Sequence, residues 1–182
     1  MLTEETSCRQ KALGHPGIRH LGPWVPGYPI PKCLPLGTMS ESFPIHDLFI
    51  RPLTQVEEPG VSRWTALRDT DHLLRRFGQA EAVRISPDRP ADLRLRSVAD
   101  EAWALLEGEA EFAWLDLRPG SPSRGVRHQM SCAEPTLVLA PFGVAFGVRA
   151  IGGPALLLRL ATHASEDPAS EDDRSLPWEG TA

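Results

Sequence analysis

Apolar and polar positions along this chain fall into short runs broken by Pro, Gly, Asp and Ser. The apolar runs span residues 48–53, 82–85, 93–98, 102–106, 112–117, 136–140, 144–148 and 155–161. Between them stand Pro87-Asp88, Gly108, Pro119-Gly120-Ser121-Pro122, Pro141 and Gly152-Gly153-Pro154. Many short strands at close spacing predict a β-sandwich or barrel. Strict alternation in Leu93-Arg94-Leu95-Arg96 gives that strand one apolar and one basic face. Residues 65–77 fit a helix better. Leu67, Leu74 and Phe77 can share a helical face there, and Thr65 or Asp69 could cap it.

The two ends differ from the middle. Residues 1–38 hold Gly14, Pro16, Gly17, Gly22, Pro23, Pro26, Gly27, Pro29, Pro31, Pro35 and Gly37, a density that breaks helix and strand alike. The expectation is a disordered or loosely attached extension, with the natural start of the folded chain at Met39. Residues 39–163 then form the β-barrel domain. Residues 164–182 form an acidic tail with Glu166, Asp167, Glu171, Asp172 and Asp173. That tail reads as loop, with Trp178 as an anchor back onto the barrel.

Composition narrows the function classes. A chain of 182 residues with 41% hydrophobic and 24% charged residues suits one domain with a sizeable core. No apolar run is long enough for a bilayer, and no basic segment leads into an apolar one. Cys8, Cys33 and Cys132 form no C-x-x-C pair, so neither a disulfide framework nor a zinc knuckle is expected. A cytoplasmic location is the reading. The net charge is −5, no lysine follows Lys32, and the arginines are scattered among carboxylates. A nucleic-acid surface would need a clustered basic face. The six histidines are dispersed without an H-x-H pair, so no metal or other cofactor is expected. Phosphate-binding glycine loops and a G-x-S-x-G elbow are absent.

The most informative segment runs from Glu107 to Val148. Gly108 and Glu109, then Asp116-Leu117-Arg118, then Ser121-Pro122 stand at the spacing of the strand pair G-E-V-x-D-V-x-V-D-L-R and its x-x-S-P turn. Leu139 to Val148 is similar to I-P-x-G-x-A-H-G-F, Phe77-Gly78-Gln79 to F-x-Q, and residues 47–52 to a first strand. In this order, over about residues 45–178, these segments resemble the dTDP-4-dehydrorhamnose 3,5-epimerases. The resemblance implies an all-β cupin or jelly-roll barrel, with one short helix and the N-terminal extension. It also implies a homodimer in which residues 47–64 of each subunit reach towards the other's sheet. Asp116 and Arg118 have a plainer role open to them, pairing on one strand face before the turn.

The family's chemistry removes and returns protons beside a ketone. It needs a base, a donor on the opposite face and a cation for the enolate oxygen. The family's histidine in R-G-L-H-x-Q falls on or near Ser97, its lysine near Glu101, and the histidine of A-H-G-F on Phe146. The late strand has no tyrosine, since Tyr28 is the only one in the chain. His128 and His163 remain as replacements. The resemblance therefore implies a degenerate member that binds a sugar nucleotide or similar small ligand without the family's catalysis. The alternative is an active epimerase or isomerase with a rearranged site, for which Glu101 could be the base. Gln79, Arg94, Arg96 and Arg159 are the candidate ligand-binding residues. A polar cavity lined by these four favours a ligand. An interior filled by Trp103, Phe112, Trp114 and Phe146 favours a structural role.

Overall fold

The computed structural model describes residues 43–89, 91–170 and 173–179. The expectations for residues 1–38 and for a start at Met39 lie outside the described residues. Among the described residues, ten strands run in order as β1 (Ile50–Pro52), β2 (Thr54–Glu58), β3 (Val61–Thr65), β4 (Gln79–Ile85), β5 (Asp92–Leu95), β6 (Glu101–Asp116), β7 (Arg127–Cys132), β8 (Thr136–Ala140), β9 (Val144–Ala161) and β10 (Arg174–Pro177). No described helix is long and apolar enough to cross a membrane.

The two long strands organise the sheet. β6 and β9 pair antiparallel from Glu101↔Ala161 to Asp116↔Val144. The first half of β6 is flanked by β8 and then β1, and the second half of β9 by β4. The second half of β6 is flanked by β7, and the first half of β9 by β5 and then β10. Two five-stranded arms result, β1-β8-β6-β9-β4 and β7-β6-β9-β5-β10, and both long strands belong to both arms.

Each long strand runs through a point where the sequence suggests a break. The register shifts between Leu105, Glu107 and Glu109, a bulge around Gly108. Gly108 has φ 85°, and a Cβ there would lie 2.6 Å from the Pro154 carbonyl oxygen. Gly108 and Gly152-Gly153-Pro154 therefore do not end strands. They let two continuous strands bulge and pass close to each other.

Inward residues of the two arms fill the core. Ile45, Leu105, Phe112, Trp114, Val138, Val144 and Leu157 are essentially inaccessible. Burial of each such side chain contributes about 1.5–3 kcal/mol. Phe146 stacks 6.1 Å from Phe112, and its ring centroid lies 5.5 Å from that of Trp114.

Two further expectations need correction. Residues 65–77 do not form a helix; only a 3-10 turn, Asp69–Asp71, is present. The Asp71 carboxylate accepts the Arg68 N–H at 2.9 Å and binds Arg51 Nη2 at 2.7 Å. His72 then adopts φ 52°, which reverses the chain. Leu67 and Leu74 pack on Leu53, Ala102 and Leu137 from this irregular path, while Phe77 stays exposed. The second correction concerns the tail. β10 pairs with β5, from Arg174↔Leu95 to Pro177↔Asp92, so the sheet extends past residue 163. Trp178 is buried against Leu93, Leu95, Ala113 and Ala145.

Candidate functional site

Strand alternation aims one row of side chains from each of β4, β5, β6 and β9 into a cavity of about 550 Å3. Trp103 of β6 and Phe146 of β9 give it apolar ring faces, and Glu81 of β4 stands beside them. Arg94 of β5 and Arg96 just beyond it line the same space, as does Arg159 of β9. The C-terminal segment closes one side with Ser165, Asp173 and Ser175. The interior is thus aromatic and polar at once, with Arg94, Arg96 and Arg159 of one expected set beside Trp103 and Phe146 of the other. Phe112 and Trp114 lie behind Phe146 in the core.

Five charges form a chain along this cavity in the order Asp173, Arg96, Glu101, Arg159, Glu81. Arg96 donates from Nε to Glu101 Oε1 at 2.7 Å and from Nη1 to Asp173. Arg159 donates from Nη2 to the same Glu101 oxygen at 2.6 Å and from Nη1 to Glu81. Trp103 Nε1 donates to Glu101 Oε2 at 2.9 Å. Arg96, Glu101 and Arg159 are only 5–6% exposed. A charge this deep requires close partners, and each has them.

The partners decide protonation. Burial pushes the Glu101 carboxyl up, but Arg159, Arg96 and the Trp103 N–H outweigh it and hold the group below its ordinary range. Asp173 is lowered in the same way, against burial, by Arg96 and the Ser97 N–H. Burial opposes the charge on Arg159, and Glu101 and Glu81 raise its pKa nonetheless. Each of these groups therefore carries its full charge at neutral pH.

Of the four residues named from sequence, Arg94, Arg96 and Arg159 line the cavity. Gln79 does not; its side-chain oxygen accepts the Ser165 N–H at 2.8 Å and fixes the start of the tail. Glu81 and Asp173 complete the ion chain. They lie 78 and 77 residues from the arginines they bind, and no local pattern marks them. Arg89 and Asp92 also line the cavity.

The expected replacement groups lie elsewhere. Ser97 borders a neighbouring cleft with Arg75, Phe142 and His163, and its N–H donates to Asp173 at 3.0 Å. His163 Nδ1 lies 3.0 Å from Thr162 Oγ1 in that cleft. His128 stacks on Trp114 at 5.5 Å, and burial lowers its pKa. Among the described residues, no histidine, lysine or tyrosine lines the cavity. No group of three or more His, Cys, Asp or Glu side chains is placed to hold a metal, again among the described residues.

The Asp-Leu-Arg turn forms a separate network. Asp116, wholly buried, accepts bonds from the Arg118 backbone N–H at 3.0 Å and its Nη2 at 2.9 Å. Ser121 and Ser123 hydroxyls donate to it at 2.6 and 2.7 Å. Burial opposes its charge, and these bonds hold its pKa far below the usual carboxylate range. Arg118 Nη2 also donates to the His46 carbonyl at 2.6 Å. These residues tie the end of β6 to the segment before β1, outside the cavity.

No family model matches the chain. Among curated proteins it is 31% identical, over 115 residues, to the spore coat polysaccharide biosynthesis protein SpsL of Bacillus subtilis (strain 168), a match that covers 62% of this chain and 76% of that protein. Among solved structures it superposes on a dTDP sugar isomerase from Desulfovibrio desulfuricans G20 with TM-score 0.66 and 21% identity, over 75% of this chain and 87% of that one. It also superposes on the dTDP-6-deoxy-D-glucose-3,5-epimerase RmlC of Legionella pneumophila Philadelphia 1, solved in complex with dTDP-4-keto-L-rhamnose. There the TM-score is 0.63 at 19% identity, over 72% of this chain and 73% of that one. The chain therefore belongs to the family of the spore coat polysaccharide biosynthesis protein SpsL and has the cupin jelly-roll fold of the dTDP-4-dehydrorhamnose 3,5-epimerases.

Proposed function

We propose that the cavity binds a nucleotide-linked sugar, or a similar small phosphorylated ligand, without the proton transfers of the 3,5-epimerases. The observation that carries this reading is the ion chain. Among the described lining residues, every buried ionisable side chain is engaged in it, and no histidine, lysine or tyrosine is present. Abstraction of a proton beside a ketone needs a base whose pKa is near the working pH, worth about 100- to 10,000-fold. Glu101 is held low and occupied by two guanidiniums, so it is a weak base. Ligand binding is supported by the Trp103 and Phe146 faces, by Arg89 and Arg94, and by the dTDP-sugar that the Legionella relative holds.

Two measurements test this. In a thermal-shift screen of nucleotide sugars, a ligand that binds only the folded state raises the melting temperature. Incubation with dTDP-4-keto-6-deoxyglucose in heavy water gives no deuterium at C3 or C5. Rapid exchange that Glu101→Gln or Glu81→Gln abolishes would establish the alternative, an active epimerase with a relocated base.

The family resemblance adds a homodimer to this reading. Hairpin β2–β3 pairs only with itself among the described strands, and it exposes Val56, Val61 and Trp64. An unpaired hairpin with exposed apolar side chains suits docking against a second copy. Sedimentation as a monomer at all concentrations refutes the dimer.

A further inference from the structure

We propose that the cavity selects its ligand by charge, taking a phosphate end at the mouth and an uncharged sugar inside, and that it rejects acidic sugars such as uronates. This rests on the sugar-ligand reading above and adds the class of sugar.

Among the described residues, the deep part of the cavity has no cation to spare. Three carboxylates, Asp173, Glu101 and Glu81, hold two guanidiniums, Arg96 and Arg159, so the chain carries a net −1. A ligand carboxylate brought against it would lose its water and face Glu101 and Glu81 without a free counter-charge. It could enter only by displacing a carboxylate already in place. Glu81 is the outermost of these, its side chain 38% exposed, whereas Asp173 is held by the Ser97 N–H at 3.0 Å and the Ser97 hydroxyl at 3.3 Å, besides Arg96. Glu101 is fixed from three sides.

A sugar hydroxyl meets a different environment. Glu81 Oε2 binds Arg159, and Oε1 has no partner among the described residues. That oxygen can accept from a hydroxyl, while Trp103 and Phe146 offer apolar faces to the C–H side of a ring.

The mouth has the opposite balance. Arg94 on β5 precedes Arg96, just beyond the strand, by two residues, about 7 Å along the extended chain. It is exposed, as is Arg89, and among the described residues neither has a side-chain partner. Asp92 is the carboxylate beside them, and it accepts from the Ser175 hydroxyl at 3.2 Å. Guanidinium groups suit phosphate, which they bind with paired N–H donors. A molecule with one anionic end and one uncharged polyhydroxyl end is thereby oriented, charge outward.

The test is a comparison of dTDP-glucose with dTDP-glucuronate, which differ only in oxidation at C6, by calorimetric titration of the full chain. The uronate is expected to bind at least about tenfold more weakly. Arg94→Ala should weaken both ligands by a similar factor, and Glu81→Gln should narrow the gap between them. Equal or tighter binding of the uronate overturns the selection by charge and leaves the sugar-ligand reading standing. Binding of neither overturns both. Loss of only one ligand in Arg94→Ala overturns the orientation, and an unchanged gap in Glu81→Gln overturns the part given to Glu81. The wild-type comparison decides the main point whether or not the variants fold.

Discussion

Arg96 Nε and Arg159 Nη2 donate to one and the same oxygen, Glu101 Oε1, at 2.7 and 2.6 Å. The arginines come from β9 and from the residue after β5, and the carboxylate from the first position of β6. A single charge therefore keeps two buried guanidiniums side by side.

Replacement Glu101→Gln should be severe, because it leaves two buried cations facing each other. Breaking a buried ion pair from one side costs about 3–5 kcal/mol. In a domain of this size that lowers the melting temperature on the order of 10 °C. Circular dichroism melts of the two proteins check it.

Acid should unfold the protein through the same groups. Glu101 and Asp173 have lowered native pKa values, against ordinary values of 4.5 and 3.8. Their stabilisation is complete above those ordinary values and is lost as pH falls through the lowered native ones. The melting temperature should fall on acidification below about pH 4.5. In Asp173→Asn this acid-dependent loss should be smaller. A pH series of thermal melts measures both.

Asp116 should matter for stability alone. It is wholly buried and bound by Arg118, Ser121 and Ser123, away from the cavity. Asp116→Ala removes the buried carboxylate that Arg118, Ser121 and Ser123 all bind and should cost about 3–5 kcal/mol. The urea midpoint should drop with its slope unchanged. Any dTDP-glucose affinity should persist in the fraction that remains folded.

Two glycines separate backbone strain from close approach. Gly108 and Gly120 have φ 85° and 78°, but a Cβ would meet the Pro154 carbonyl at 2.6 Å only at Gly108. Gly120→Ala should cost about 1–2 kcal/mol, the price of the left-handed backbone alone. Gly108→Ala should cost more, since the bulge must also move. Urea midpoints of the two variants give the difference.

The strands that an apolar pattern marks were readable, and β8 matches its run residue for residue. β7 reads Arg-His-Gln-Met-Ser-Cys and β10 Arg-Ser-Leu-Pro, which carry little such pattern; their pairing with β6 and β5 makes them strands. Gly108 and Gly152-Gly153-Pro154 suggest stops because local propensity cannot register a neighbouring strand passing within contact. The same limit governs the site. Alternation puts Arg94 and Arg96 on one face, yet Asp173 becomes the partner of Arg96, and Glu81 that of Arg159, only through folding.

Because β6 and β9 each run through both arms, neither arm can detach without breaking strands that the other also uses. Opening should therefore be all-or-none, and no half-barrel should accumulate on unfolding. In native-state hydrogen exchange, amides at Ala104 and Ala113, one in each arm, should exchange through one shared global event, whereas those of the β2–β3 hairpin exchange locally and much sooner.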